Sequence, residues 1–527
     1  MTLEVRSLER WKDQYLRMID DFISAINSSR DSFSRGQQCF IYLLIFAIAS
    51  FPRFYLLFSK CLDVGLDYDE LQTVTHAYLP IDQIFISIKT FDPHPPLYYV
   101  HLHYWLFFGT SDLWIKINSM VWGIATALSL FYISRKIFDV KRALLATILF
   151  SLAPYSIFYA TEARMYAFVA FISLWGWYFT HNFFTTKSYI LHGFVVILLE
   201  TIFILSHGAG FFFLISIISY GIILTINRTK IDKQLFFFYL SQLMMIGIYA
   251  IIWLPRAKEI HLGHLLIPGF HEVIEALTVL FFGFWMPRSG WGFWLSLTIL
   301  VLILINILFQ PKYHSIYLPF FIIPLLSGIF ISYAIRPIWE PKSFAYLSPF
   351  ISLIFALSVT TQVNRIKPLV KLYKTINIML VWGVVSGLVL GIIFQQKDYI
   401  RWWAIKKPVE YVQEFVSDKD IIFIASERLF WGWGWYFTGP GSVNPLESEK
   451  MISTESGVRI TRVSTQVSDF QELSSLWFIA RDVDTVDYEK FLGDDFQKGL
   501  LEQNQFSKVL VKRYRVNLNE FNGMKAE

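Results

Sequence analysis

Cysteine and charge are both scarce in this 527-residue sequence. The two cysteines, Cys39 and Cys61, flank the first long apolar run and are expected on opposite sides of it, so no disulfide framework is expected. Asp, Glu, Lys and Arg make up 17% of the chain, where a soluble globular protein carries about a quarter. The sequence has no internal repeat, no low-complexity tract and no Rossmann-like glycine fingerprint. Repeat arrays are thereby excluded, and sugar-nucleotide enzymes of the dinucleotide-fold type are disfavoured. Residues 1–38 lack a short apolar core with a small-residue cleavage site, so no cleavable signal is expected.

Apolar residues are plentiful: 55% of the chain is hydrophobic and 18% aromatic. Crossing the hydrocarbon core takes about 20 apolar residues. Runs of that kind fall at 38–58, 113–134, 143–160, 165–183, 189–206, 209–227, 234–254, 290–309, 314–335, 343–361 and 376–394. The stretches 95–108 and 273–286 are too short and read as helices lying at the interface. With the N-terminus inside, Arg135, Lys136, Lys141 and Arg142 face the cytoplasm, as do Arg228, Lys230 and Lys233, then Arg365, Lys367, Lys371 and Lys374. Counting one short stretch as a span would invert everything after it. The formal net charge of +5 is thus accounted for without nucleic acid.

The expected fold class is an all-α polytopic membrane protein of about eleven transmembrane helices plus interfacial helices, followed by a small α/β extracytoplasmic domain. Residues 1–37 form a charged cytoplasmic segment, with Arg6, Arg10, Lys12 and Arg17 as a lipid-facing helix surface. Residues 38–394 form the transmembrane domain, with 59–112 as its first outer loop. Residues 395–527 mix the helical period of "KPVEYVQEFV" with the short strands "DIIFIA" and "SLWFIA" and the alternation of "FSKVLVKRYRV".

On the outer side, charges converge from loops far apart in sequence. "GLDYDELQTV" (65–74) carries Asp67, Asp69 and Glu70, and "DPHPPLYY" carries His94. "YATEARMYAF" carries Glu162, Arg164 and Tyr166, and the loop 255–272 carries Arg256, Lys258, His261 and His264. Arg336 and Lys342 lie at a late turn. Such a set suits sugar transfer from a lipid-linked phosphate. The phosphate is already a good leaving group and needs cations for its developing charge, while the acceptor hydroxyl needs one carboxylate as base. One carboxylate with a cationic cradle gives single displacement with inversion, without the acid partner of glycosidases.

Each residue also has a plainer reading. Asp69 and Glu70 suit a solvated loop, and Asp67 is read as solvated. Arg164 suits an interfacial snorkelling anchor, with Glu162 orienting it. His261 and His264 suit ordinary loop histidines. Glu200 and His207 lie toward the outer end of one span, where Glu200 suits hydrogen bonding within the bundle. "LFWGWGWYF" (429–437) suits packing of the C-terminal domain ahead of sugar stacking.

The order "DYDE", "HPPLYY", "EARMY" and a late Pro-Lys turn in "WEPKSFAYLSP" resembles the GT-C membrane glycosyltransferases of the protein O-mannosyltransferase and aminoarabinose transferase kind. The resemblance covers 38–394 and, more loosely, the rest. It implies a polyprenyl-phosphate sugar donor, an acceptor lipid, glycan or protein, and chemistry on the outer face of the cytoplasmic membrane. It implies Asp69 as base with Glu70 beside it, and donor contacts from His94, Glu162, Arg164, Tyr166 and Lys342. Arg256 and Lys258 join these as donor-side cations. His94 stands where aminoarabinose transferases have a lysine, and Lys342 and Ser343 stand where the family shows Arg-Tyr, which retains charge without bidentate geometry. No cofactor is required by these motifs; a divalent metal is left open. The rival class is a transporter or flippase of lipid-linked saccharides, which should carry charges or broken helices near the bilayer midplane.

Overall fold

The computed structural model describes residues 35–92, 94–226, 232–259, 267–360, 367–397, 404–418, 420–424, 427–447, 452–453, 458–461, 475–481, 500–506 and 509–515. The N-terminal basic residues, and His261 and His264, lie outside the described residues.

Helix α1 (Arg35–Val64) is followed by three short helices, α2 (Tyr68–Ala77), α3 (Ile81–Phe91) and α4 (Leu97–Leu106). The segment expected as an acidic loop is therefore largely helical. Then come α5 (Asp112–Ile137), α6 (Val140–Leu152), α7 (Pro154–Ala160), α8 (Tyr166–Thr185), α9 (Tyr189–Ile204), α10 (Gly210–Thr225) and α11 (Lys233–Glu259). The bundle closes with α12 (Phe270–Phe282), α13 (Trp291–Phe309), α14 (Pro311–Ala334), α15 (Pro341–Thr360) and α16 (Lys367–Lys397).

Each of the eleven expected spans coincides with a helix or a bent helix pair. Among the described residues, seven helices are long and apolar enough to cross a membrane, or eight if the α6–α7 pair is one span. Helices α9 and α10 are apolar but only 16 residues each. Helices α4 and α12, from the two short stretches, stay below spanning length. The chain is a multi-pass helical membrane protein. Helix α15 lies deepest, with 78% of its apolar window buried, whereas α11 has 28% buried and presents its side chains outward.

The α6–α7 pair bends by 64° at Ala153–Pro154, because proline has no N–H to continue the ladder. Arg53, buried on α1, donates to the Ser151 carbonyl just before the break (3.2 Å) and to Ala49 O (2.7 Å). The bend directs α7 into the turn 161–165, which carries the Glu-Ala-Arg residues.

The C-terminal part pairs α17 (Lys406–Phe415) and α18 (Glu427–Phe437) with a six-stranded mixed sheet. Its strands are β1 (Ile421–Ile424), β2 (Ile452–Ser453), β3 (Arg459–Thr461), β4 (Ser475–Arg481), β5 (Leu500–Phe506) and β6 (Val509–Arg515), in the order β2-β3-β1-β4-β6-β5. Strand β1 runs parallel to β3 and β4, and β6 antiparallel to β4 and β5. Buried Ile422, Phe423, Trp477 and Ile479 hold its core. This unit is fastened to the bundle at the entry to α2. Tyr436 Oη accepts from Leu66 N–H (2.6 Å) and donates to Asp112 (3.0 Å), and Lys406 pairs with the same aspartate (3.3 Å). Gly65, with φ of 79°, makes room: a Cβ there would lie 2.6 Å from Tyr436 Oη.

Candidate active site

The three acids of the opening motif have three different situations. Asp67 is the N-cap of α2. Its carboxylate accepts from Glu70 N–H (3.1 Å), and Glu70 Oε2 reaches back to Asp67 N–H (2.9 Å), a reciprocal capping box. This corrects the reading of Asp67 as merely solvated. Glu70 is fully buried, and its other oxygen accepts from Lys116 Nζ (2.6 Å) and Ala163 N–H (2.8 Å). Expected as a catalytic partner of Asp69, Glu70 ties α2 to α5 and to the 161–165 turn. Consecutive helix residues point about 100° apart, so the two acids cannot share a face. Asp69, with its side chain 36% exposed, has its carboxylate 3.9 Å from Lys342 Nζ.

Arg164 lies beneath that turn of helix and is 4% exposed. Its Nη1 donates to Asp69 O (3.3 Å) and Thr73 Oγ1 (2.5 Å) and lies 3.9 Å from Asp92 Oδ2. Burial alone would lower its pKa, but Tyr99, Tyr166, Asp69 and Asp92 outweigh burial and raise it well above the ordinary guanidinium value. Arg164 therefore stays charged. The Glu162 carbonyl accepts from Arg164 N–H (2.7 Å), and its carboxylate is buried near Tyr155, Tyr159 and Tyr166.

Asp92 Oδ1 also accepts from His94 N–H (2.8 Å), which fixes the turn before α4. The His94 ring lies 5.0 Å from that of His207, and His207 lies 5.6 Å from the Tyr166 ring. Burial, then the charges of His94, Arg164 and Lys342, push the His207 pKa well below its ordinary value, against Asp92. His207 is thus neutral near pH 7, and its Nδ1 accepts from Ala209 N–H (3.0 Å). The ring proton must then sit on Nε2. Among the described residues, His207 Nε2, Arg164 Nε and Tyr166 Oη are buried with no hydrogen-bond partner. Lys342 lies in the first turn of α15, held by Glu340 (2.9 Å) and by Tyr155 Oη donating to Pro341 O (2.9 Å).

Asp69, His94, Glu162, Arg164, Tyr166 and Lys342 are thus brought together. Arg256 and Lys258 are not described there: α11 runs to Glu259, so they sit on its last turns rather than in a loop, and their side chains lie outside the described part. Sequence reading left Lys116, Thr73 and Asp92 out of the site and placed His207 near the outer end of a span without a role. Lys116 could have been flagged as a lysine inside an apolar span, and Asp67 by its Asp-x-x-Glu spacing. Among the described residues, no group of three or more His, Cys, Asp or Glu converges as a metal site.

No family model and no curated protein sequence matches the chain. The chain is similar in structure to ArnT from Cupriavidus metallidurans, an aminoarabinose transferase. In the apo state the TM-score is 0.54 at 11% identity, covering 89% of this chain and 97% of that one. With undecaprenyl phosphate bound to ArnT it is 0.50 at 9% identity, covering 92% and 99%. This likeness assigns the GT-C fold that the sequence motifs suggested.

Proposed function

We propose that the protein is a glycosyltransferase that moves a sugar from a polyprenyl-phosphate donor to a hydroxyl of a lipid, glycan or protein acceptor. The observation that carries this reading is the partly exposed Asp69 carboxylate beside a buried cluster of charged and unsatisfied donors. The GT-C fold shared with ArnT, a protein crystallised with undecaprenyl phosphate, supports the donor class.

In this reading Asp69 takes the proton of the acceptor hydroxyl as its oxygen attacks the anomeric carbon. The bond from that carbon to the phosphate oxygen breaks, inversion follows, and polyprenyl phosphate leaves. Arg164, Lys342, the Nε2–H of His207 and the Tyr166 hydroxyl meet the charge on the leaving phosphate. Glu70 is a positioning residue, because its hydrogen bonds hold the first turn of α2 against the turn carrying Arg164. Membrane lipids would deliver the donor sideways into the bundle. The alternation of basic loops supports a site and a C-terminal domain on the extracytoplasmic side of the cytoplasmic membrane.

The test is to remove the protein from its host, identify by mass spectrometry the polyprenyl-phosphate sugar that accumulates, and supply that lipid to the purified protein in proteoliposomes. A new glycosidic bond is expected. Movement of the intact lipid across the bilayer with no new bond would instead establish a flippase.

A further inference from the structure

The end of α2 away from Asp69, the start of α3, and α18 with the loop after it surround a cavity of about 250 Å3. That is far above the roughly 10–15 Å3 a single water requires, and a little under the ~300 Å3 at which drug-sized pockets begin. Among the described residues, no charged side chain lines it. Tyr78 is 41% exposed and stands edge-on to Trp435, with ring centroids 5.8 Å apart at 90°. Gln83 of α3 and Asn444 of the loop join the two sides through an amide hydrogen bond of 3.2 Å. Two more lining residues, Thr75 and Trp431, each have a buried polar atom, Oγ1 and Nε1, with no hydrogen-bond partner among the described residues. Both atoms are enclosed, so a side-chain rotation would bring them to a molecule in the cavity.

We propose that this cavity binds a neutral sugar ring of the acceptor, an inference that rests on the transferase reading above. A sugar ring combines apolar C–H faces, which suit aromatic walls, with hydroxyls, which suit amides and an indole N–H. The uncharged lining does not suit a phosphate or an acidic headgroup, which belongs with the cations at the other end of α2. Tyr78 is nine residues beyond Asp69 at the end of the same helix, about 13–14 Å along its axis and about half a turn around it. An acceptor of several rings is needed to reach both, one ring held at Tyr78 and Trp435 and a further ring presenting its hydroxyl to Asp69. The indole-rich stretch 429–437 serves packing and recognition together: Trp433 is fully buried, while Trp431 and Trp435 form cavity wall.

The test is saturation-transfer NMR on the full-length protein in nanodiscs, with the methyl glycosides of glucose, mannose and N-acetylglucosamine as probes. At least one is expected to receive saturation. Tyr78→Ala and Gln83→Leu, both on side chains with solvent exposure, should each weaken that binding by about tenfold or more, with melting temperature unchanged. Arg164→Ala should leave it intact. Absence of binding by all three glycosides, binding that survives both cavity variants, or binding lost in Arg164→Ala would each overturn the site. Binding is read without turnover, so the two readings fail separately. Glycoside binding through Tyr78 in a protein that transfers no sugar keeps the sugar site and overturns the transferase. Transfer by a protein whose cavity binds no glycoside overturns only the cavity.

Discussion

Asp69, in the first turn of α2, stands among Arg164, Lys342 and Asp92, whereas Thr75 and Tyr78 at the other end meet aromatic rings and amides. One ten-residue helix thus touches two chemically different surfaces. The charged end is knitted from elements scattered along the chain: α5 supplies Lys116, the 161–165 turn supplies Arg164, and the first turn of α15 supplies Lys342. The aromatic end meets α3 and α4, through Ser87 and His103, as well as the C-terminal part, through Trp431 and Trp435. The charged end is therefore fixed by ion pairs that cannot shift without leaving buried charge, while the aromatic end is fixed by ring packing with a few hydrogen bonds, among them His76–Ser87 (2.7 Å) and Gln83–Asn444 (3.2 Å). A base needs the first kind of support, and a sugar ring needs the second.

The sharpest way to break this contrast is to neutralise the neighbouring acids one at a time. Asp69→Asn keeps size and much of the hydrogen bonding but accepts no proton. Transfer should fall by about 10²–10⁴ with undecaprenyl phosphate binding nearly unchanged. Glu70→Gln should lower the melting temperature before it lowers turnover of the folded fraction. Measuring transfer rate, lipid affinity and melting for both variants in the same proteoliposomes decides it. A fully stable Glu70→Gln protein as slow as Asp69→Asn would exchange their roles.

The next effect in size concerns Lys116. Removing one partner of a buried ion pair leaves an uncompensated charge, so Lys116→Ala should cost about 3–5 kcal/mol of unfolding free energy. Lys116→Met combined with Glu70→Leu should recover part of it, at the expense of the capping box. Equilibrium unfolding in mild detergent measures both. An unchanged Lys116→Ala protein would mean that the ion pair does not hold the charged end.

These two neighbours also mark how far the sequence could be read. Span positions were legible because the length of an apolar run is itself the physical requirement for crossing a bilayer. That Asp69, Arg164 and Lys342 come together was legible through motif resemblance and the expected placing of charges on one side. Burial was not legible: nothing in "DYDE" alone separates the acid that is enclosed from the one that is open. The distinction comes from Lys116 and Ala163, 46 and 93 residues away. The helical character of the first loop was written locally, in the Asp67-x-x-Glu70 spacing, and was missed because the acids were weighed only for chemistry.

A smaller effect tests the neutral state of His207. Its native pKa lies well below the unfolded value of about 6.5, so above that pH neither state carries the proton and nothing is lost. As pH falls below about 6.5, the unfolded state takes up a proton that the native state refuses. Stability should then drop by up to about 1.4 kcal/mol per pH unit until the native pKa is reached. His207→Gln, which retains an N–H donor, should flatten that part of the curve between about pH 5.5 and 6.5. Parallel curves for wild type and variant would show that His207 titrates normally, and would remove the argument for an Nε2–H donor at the phosphate.

The smallest effect separates capping from catalysis at Asp67. Its carboxylate accepts from Glu70 N–H, a task an amide oxygen performs as well, since Asn and Asp are comparable N-caps. Asp67→Asn should therefore leave both stability and transfer within error of the wild type. Asp67→Ala removes the acceptor and should cost about 0.5–2 kcal/mol, read as a lower melting temperature. Transfer should follow only through the folded fraction, because Lys116 and Ala163 still hold Glu70 in place. The three variants at positions 67 and 69 then form a graded set: silent, slightly unstable, and inactive. A heavier loss of transfer from Asp67→Asn than from Asp69→Asn, at equal melting temperature, would move the base two residues upstream and make the capping box part of the chemistry.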